Sequence, residues 1–280
     1  MKATLVDIHT HTERTKDSLI QVVNLVLESP CPEQGHYSYG IHPWVLDNAD
    51  FQEEKALQTL EEKMELPQVL ALGEAGLDKM HKASFERQIK LFEWQIELSE
   101  ALQKPMILHD VRSHNEIIAL RKKHKAQQPW IVHGFGGTEQ DVKQLIGQGI
   151  YLSVGESLLH PERKIYKSFK FIDLNYLFLE TDMAEIGIEK VYEAAANLLE
   201  TDIVTLQKQI FTNFARLFGR ETRGRETLHW ALILIADLIR YLLNAKTNLY
   251  RVGDCGSAPA MRSRGEKIVP KSRVNNISTW

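Results

Sequence analysis

Cysteine is scarce: Cys31 and Cys255 are the only two in 280 residues, far apart and in dissimilar surroundings. That excludes a disulfide-framed secreted scaffold and points to a reducing compartment. Long hydrophobic runs are lacking as well. The longest, Leu228 to Leu243, is interrupted by Asp237 and Arg240, which makes it too short and too charged for a membrane span. The first strand starts almost at once, without the basic and apolar regions of a secretory signal. A cytoplasmic protein that does not touch membrane is therefore the expectation. No G-x-G-x-x-G pattern occurs, so Gly134, Gly136 and Gly137 give no sign of a dinucleotide site. Strong net charge is missing too, at -3 overall, but the balance is uneven. Residues 221–280 hold ten Lys/Arg against five Asp/Glu, which leaves -8 on the first 220. An acidic body acting on a polyanion needs metal ions or a local basic patch.

What is present is an ordinary globular composition, 43% hydrophobic and 25% charged, with ample material for a core. Apolar β-rich runs alternate with helix-like segments along the first 220 residues. The runs are Ala3–Val6, Leu19–Val26, Tyr37–Ile41, Val69–Gly73, Pro105–Leu108, Trp130–Val132, Ile150–Val154 and Tyr176–Leu179. Helical stretches are expected over 49–65, 82–102, 116–125, 139–147, 161–170, 188–199 and 204–217. Eight strands separated mostly by helices predict an α/β fold, a (β/α)8 TIM-like barrel. The connections 12–18 and 28–36 are too short for ordinary crossover helices, so distortion is expected at the first units. A doubly wound open sheet is the competing architecture.

The polar residues at the ends of these runs carry the chemistry. Asp7-Ile8-His9-Thr10-His11 closes the first, and alternation along a strand sends His9, His11 and Asp7 to one face. Later ends bear His42, Glu74 with Asp78, His109 with Asp110 and Arg112, His133, and Glu180-Thr181-Asp182. In a parallel barrel every C-terminal strand end opens onto the same mouth, so imidazoles and acids distant in sequence converge. Each has a plainer reading: Glu74 or Asp182 as a helix cap, His109 or His133 bonded to backbone. Their recurrence at five strand ends outweighs those readings taken singly.

In order and wording these motifs resemble the TatD family of metal-dependent hydrolases, within the amidohydrolase-like barrels. The resemblance rests on Asp7–His11, Gly40-Ile41-His42-Pro43, Gly73-Glu74-Ala75-Gly76-Leu77-Asp78, and Phe85 with Gln88 and Phe92 with Gln95. It continues through Lys104-Pro105 to His109 and Arg112, His133-Gly134-Phe135-x-Gly137, Leu179-Glu180-Thr181-Asp182, and Thr212-Asn213 with Arg216-Leu217-Phe218-Gly219. It implies two divalent metal ions: His9, His11 and Asp182 on one, His109 and His133 on the other, and Glu74 bridging. Such a pair polarises a phosphoryl oxygen, activates water and steadies a leaving oxygen, with Asp182 and Glu74 as catalytic carboxylates. Mixed imidazole and carboxylate ligands suit Zn, Mn, Fe or Co, whereas Mg is usually oxygen-bound; Mg, Mn and Zn are all carried forward.

His42 and Arg112 are read as substrate-binding groups holding phosphate, with pairing of Arg112 to Glu74 or Asp110 as the alternative. The sequence also departs from the family's pattern. Thr12-Glu13 follow the second histidine where Leu and Asp are usual, and Trp44 stands where many members have another histidine. That tryptophan offers a stacking surface for a base, or fills a core or rim position. The expected activity is a metal-dependent deoxyribonuclease acting on DNA. The alternatives are hydrolysis of a small-molecule ester or amide, and a non-catalytic metal-binding interaction protein. Residues 1–220 form the expected barrel domain. Residues 221–280 read as an extension with an apolar helix over 228–243, followed by a flexible end.

Overall fold

A computed structural model describes residues 4–16, 18–81 and 84–219. The expected extension at 221–280, with its apolar helix, lies outside the described residues. Eight strands form one sheet in sequence order, every neighbouring pair parallel: β1 Leu5–Thr10, β2 Leu19–Asn24, β3 Tyr37–Tyr39, β4 Val69–Asp78, β5 Met106–Val111, β6 Trp130–Val132, β7 Tyr151–Val154 and β8 Leu177–Leu179. The sheet curls until its first and last strands meet. Thr10 bridges to Asp182, the His11 amide donates to the Asp182 carbonyl at 3.2 Å, and the Asp182 amide donates to the His9 carbonyl at 2.9 Å. The barrel architecture therefore holds, and the open, doubly wound alternative does not: that fold would need a reversal of strand order.

Helices follow the later strands: α1 Glu53–Met64, α2 Phe85–Leu102, α3 His114–Lys123, α4 Glu139–Ile146, α5 Lys164–Ser168, α6 Ile188–Leu198 and α7 Ile203–Phe218. Among the described residues none intervenes between β1 and β2 or between β2 and β3, as the short connections predict. Pairing there stays parallel, with a register shift between Asp7 and Thr10. The helix expected over 161–170 is instead the single turn α5 followed by a 3-10 turn at Phe169–Phe171. Strands β1 and β4 run further than their apolar runs suggest, because the barrel backbone continues to pair through the polar motifs. Val6, Ile8, Leu108, Ile131, Leu152 and Phe178 are among the fully covered residues of the core. Tyr192 from α6 ties the outer layer to β1 by donating to the Val6 carbonyl and accepting from its amide, both at 3.1 Å. Among the described residues no helix is long and apolar enough to cross a membrane.

Candidate metal centre

Glycine decides how closely the strands bearing the site approach. Gly76, two residues after Glu74, has φ +143, and a Cβ there would lie 2.1 Å from the His109 carbonyl oxygen. Only glycine allows β4 and β5 to meet at that point. A second constraint comes from α2. Gln88 and Gln95 are seven residues apart, hence on one helix face, and both are buried. The Gln95 side chain accepts from the Ile41 amide at 2.8 Å and donates to the Ile41 carbonyl at 3.0 Å. Gln88 accepts from the Asp78 amide at 2.8 Å and donates to its carbonyl at 3.0 Å. Each glutamine thus pins a strand end, one beside His42 and the other at Asp78.

The result is a carboxylate ringed by imidazoles. Glu74 Oε1 has His133 Nε2 at 2.8 Å, His109 Nδ1 at 2.9 Å and His42 Nε2 at 3.1 Å. Its Oε2 has His9 Nε2 at 3.6 Å and His11 Nε2 at 3.8 Å, and both nitrogens lie close to Asp182 Oδ1, at 3.5 and 3.4 Å. Donor atoms bound about 2.1 Å from one tetrahedral ion stand about 3.4 Å from each other, which is the spacing seen here. His9 Nε2 is buried and lacks any hydrogen-bond partner, whereas His133 turns Nε2 to Glu74 and has Nδ1 3.6 Å from Glu180 Oε1. A buried polar atom is rarely left as His9 Nε2 is, and a cation is what it fits. The imidazole and carboxylate donors suit Zn or Mn better than Mg.

Possible ligand groups overlap: His9, His11 and Glu74; His9, His133 and Asp182; His42, Glu74 and His109. All six expected ligands therefore share one mouth. His42, expected on substrate alone, comes as near to Glu74 as the ligands do. Its Nδ1 accepts from the Trp44 amide at 3.2 Å, so the neutral ring carries its proton on Nε2 and serves as a donor. Arg112 is exposed, at φ +56 on the end of β5, and pairs with neither Glu74 nor Asp110. Asp110 binds Ser113 and His114 instead. Asp182 is likewise in the left-handed region, φ +49, where non-glycine residues are uncommon and cluster at functional sites.

Electrostatics follow from burial and charge. Burial alone would raise the Glu74 carboxyl, but His133, His109 and His42 reverse that and hold it below the ordinary range. Asp182 is lowered in the same way, burial opposed by hydrogen bonds from His11 and His9. Burial depresses His133, yet Glu74 and Glu180 carry it well above the usual imidazole value.

Four contributors were not assigned a role from the sequence. Asp78 Oδ2 takes the Trp44 indole N–H at 2.8 Å and lies 3.2 Å from His109 Nε2, leaving His109 Nδ1 toward Glu74. Such an outer carboxylate fixes the imidazole's tautomer and orientation. Its even spacing from Glu74 along one strand was a readable signal. Glu180 Oε1 accepts from the Gly134 amide at 2.6 Å, beside His133. Gln88 and Gln95, the other two, stand in the sequence as motif residues of the family resemblance and as polar residues on a buried helix face, with no role attached.

Residues 3–219 match the model of the family described as TatD related DNase. The chain is 32% identical over 152 residues to the uncharacterized metal-dependent hydrolase YjjV of Escherichia coli K12, covering 53% of this chain and 58% of that protein. Identity is 31% over 118 residues with the deoxyribonuclease Tat-D of Schizosaccharomyces pombe, covering 41% and 38%. With a 3'-5' ssDNA/RNA exonuclease TatD of Citrobacter koseri it is 27% over 147 residues, covering 51% and 55%. The chain thus spans about half the length of the curated relatives it matches. In fold it is similar to the crystal structure of YjjV, with a TM-score of 0.67, 22% identity, and coverage of 77% of this chain and 98% of that one. Strand order, the convergent mouth and the matched length agree, and the chain belongs to the TatD related DNase family.

Proposed function

We propose that this chain is a divalent-metal-dependent hydrolase cleaving phosphodiester bonds in DNA. The observation that carries the reading is the meeting of five imidazoles and two carboxylates at the barrel mouth, with the buried His9 Nε2 lacking a hydrogen bond. Relatives named as a deoxyribonuclease and as 3'-5' ssDNA/RNA exonucleases support a nucleic acid substrate. His9, His11 and Asp182 would hold one ion, His109 and His133 a second, with Glu74 between them. When bound, these ions supply charge that polarises a phosphoryl oxygen and acidifies water. Asp182, whose side chain is 38% exposed, then accepts the proton of the attacking water. His42 donates from Nε2 to a phosphate oxygen, and Arg112 forks onto the substrate's phosphate from the rim. The catalytic unit is residues 1–220, and the free, half-buried Cys31 suits a reducing cytoplasm.

The test is elemental analysis of the purified protein together with hydrolysis of a single-stranded oligodeoxynucleotide. Mn, Zn or Mg should support cleavage, chelation should abolish it, and His109→Ala should lower it on the order of 100-fold or more. Turnover of small esters with none of DNA would overturn the nuclease reading.

A further inference from the structure

Seven large hydrophobic side chains are exposed among the described residues, and three flank the centre: Trp44 two residues after His42, Met80 two after Asp78, Met183 next to Asp182. A polar, charged centre with an apolar rim suits a substrate that is anionic at the reacting atom and flat and apolar beside it. Trp44 is the largest of the three and is 51% exposed. Its ring centroid lies 4.8 Å from that of His42 and 5.6 Å from that of His109.

The ring is exposed but not loose. Its N–H is fixed on Asp78, and the indole stacks on His81 with centroids 5.2 Å apart and planes at 15°. His81 Nδ1 in turn lies 3.0 Å from Asp47 Oδ2. An aromatic surface ordered in advance loses little freedom when a second flat group lies against it. We infer that Trp44 is a nucleobase platform, on which a base of the strand adjoining the scissile phosphate stacks. The inference rests on the nuclease reading and adds to it a substrate feature: recognition of the base as well as the phosphate. Because every base has a π-face, such stacking tolerates any sequence and favours unpaired strands.

The experiment compares an oligodeoxynucleotide with an abasic strand of equal length, on the full chain, the Trp44→Ala variant and the Trp44→Phe variant. KM for the base-bearing strand should rise on the order of tenfold in Trp44→Ala, with KM for the abasic strand nearly unchanged. Trp44→Phe keeps a ring but loses the bond to Asp78, so it should retain most of the discrimination while kcat and metal content report the lost bond. An equal rise on both strands in Trp44→Ala would overturn the inference. So would loss of discrimination in Trp44→Phe as complete as in Trp44→Ala. Should no strand be cleaved with any metal, the nuclease reading alone falls. Fluorescence anisotropy of the same two strands in EDTA then decides the platform by the same comparison.

Discussion

Two carboxylates, Asp7 and Glu74, sit inside the same barrel, at 0% and 8% exposure, in opposite circumstances. Asp7 is met by uncharged donors: the Thr181 amide at 2.9 Å, the Thr181 hydroxyl at 2.7 Å and the Gln21 amide at 3.3 Å. Burial pushes its carboxyl up to about 7, against those hydrogen bonds and with help from the charge of Glu180. Glu74 faces only ionisable nitrogens, and one of them, the buried His9 Nε2, has no hydrogen-bond partner. Burial of a polar group does not by itself mark a functional site. What distinguishes Glu74 is that its surroundings remain chemically unsatisfied until a cation is added.

The strongest way to break this comparison is to neutralise each carboxylate in turn. Glu74→Gln should strip metal from the protein and lower hydrolysis by about 10²–10³-fold, while the fold survives. Asp7→Asn should keep metal and activity, since an amide still offers one acceptor to the Thr181 N–H and the Thr181 hydroxyl can turn to accept from the new NH2. Asp7→Leu leaves the Thr181 amide unpaired and should cost about 1–3 kcal/mol in urea unfolding, again with metal retained. Loss of metal in Asp7→Asn would show that the two carboxylates act as one unit. A smaller effect separates mouth from core through the backbone. Gly76→Ala places a methyl group on the His109 carbonyl at a φ only glycine accepts. It should destabilise the chain by about 2–3 kcal/mol and weaken metal retention together, because β4 and β5 must part.

The mouth was largely legible in sequence, and the reason is geometric. Parallel strands of a barrel end on one face, so the imidazoles and acids at the strand ends could be gathered at one mouth from position, while the choice of His9, His11, Glu74, His109, His133 and Asp182 as metal ligands came from the resemblance to the TatD family. The supports around them were not. Gln88 and Gln95 act through backbone atoms of Asp78 and Ile41, and no periodicity announces which strand a buried amide will reach. Even spacing along β4 places Asp78 on the face of Glu74, but its role depends on which His109 nitrogen faces it, a matter of rotamer. Arg112 was left between phosphate and carboxylate partners; the structure removes Glu74 and Asp110 from that choice, because imidazoles surround the first and His114 with Ser113 occupy the second. The expected helix over 161–170 divides into α5 and a 3-10 turn, with Ile165 and Phe169 both buried.

A third carboxylate, Asp110, calibrates the other two, since it lies outside both networks and pairs with an ordinary titrating partner. Its hydrogen bond raises His114 above the usual imidazole value, aided by the charges of Asp110, Asp141 and Glu116 and opposed by burial. A raised folded value means that the stabilisation is complete below about pH 6.5, the unfolded value, and is lost as pH climbs through the folded one. His114→Gln should therefore cost most at pH 6 and little at pH 9 in urea unfolding. The difference should stay at about 1 kcal/mol or less, because Asp110 keeps the Ser113 hydroxyl at 2.7 Å and the Ser113 amide at 3.2 Å. Metal content should not change in this variant at either pH. A cost that does not vary with pH would mean that His114 acts by packing against Phe135, whose ring centroid is 6.2 Å away, and not by charge.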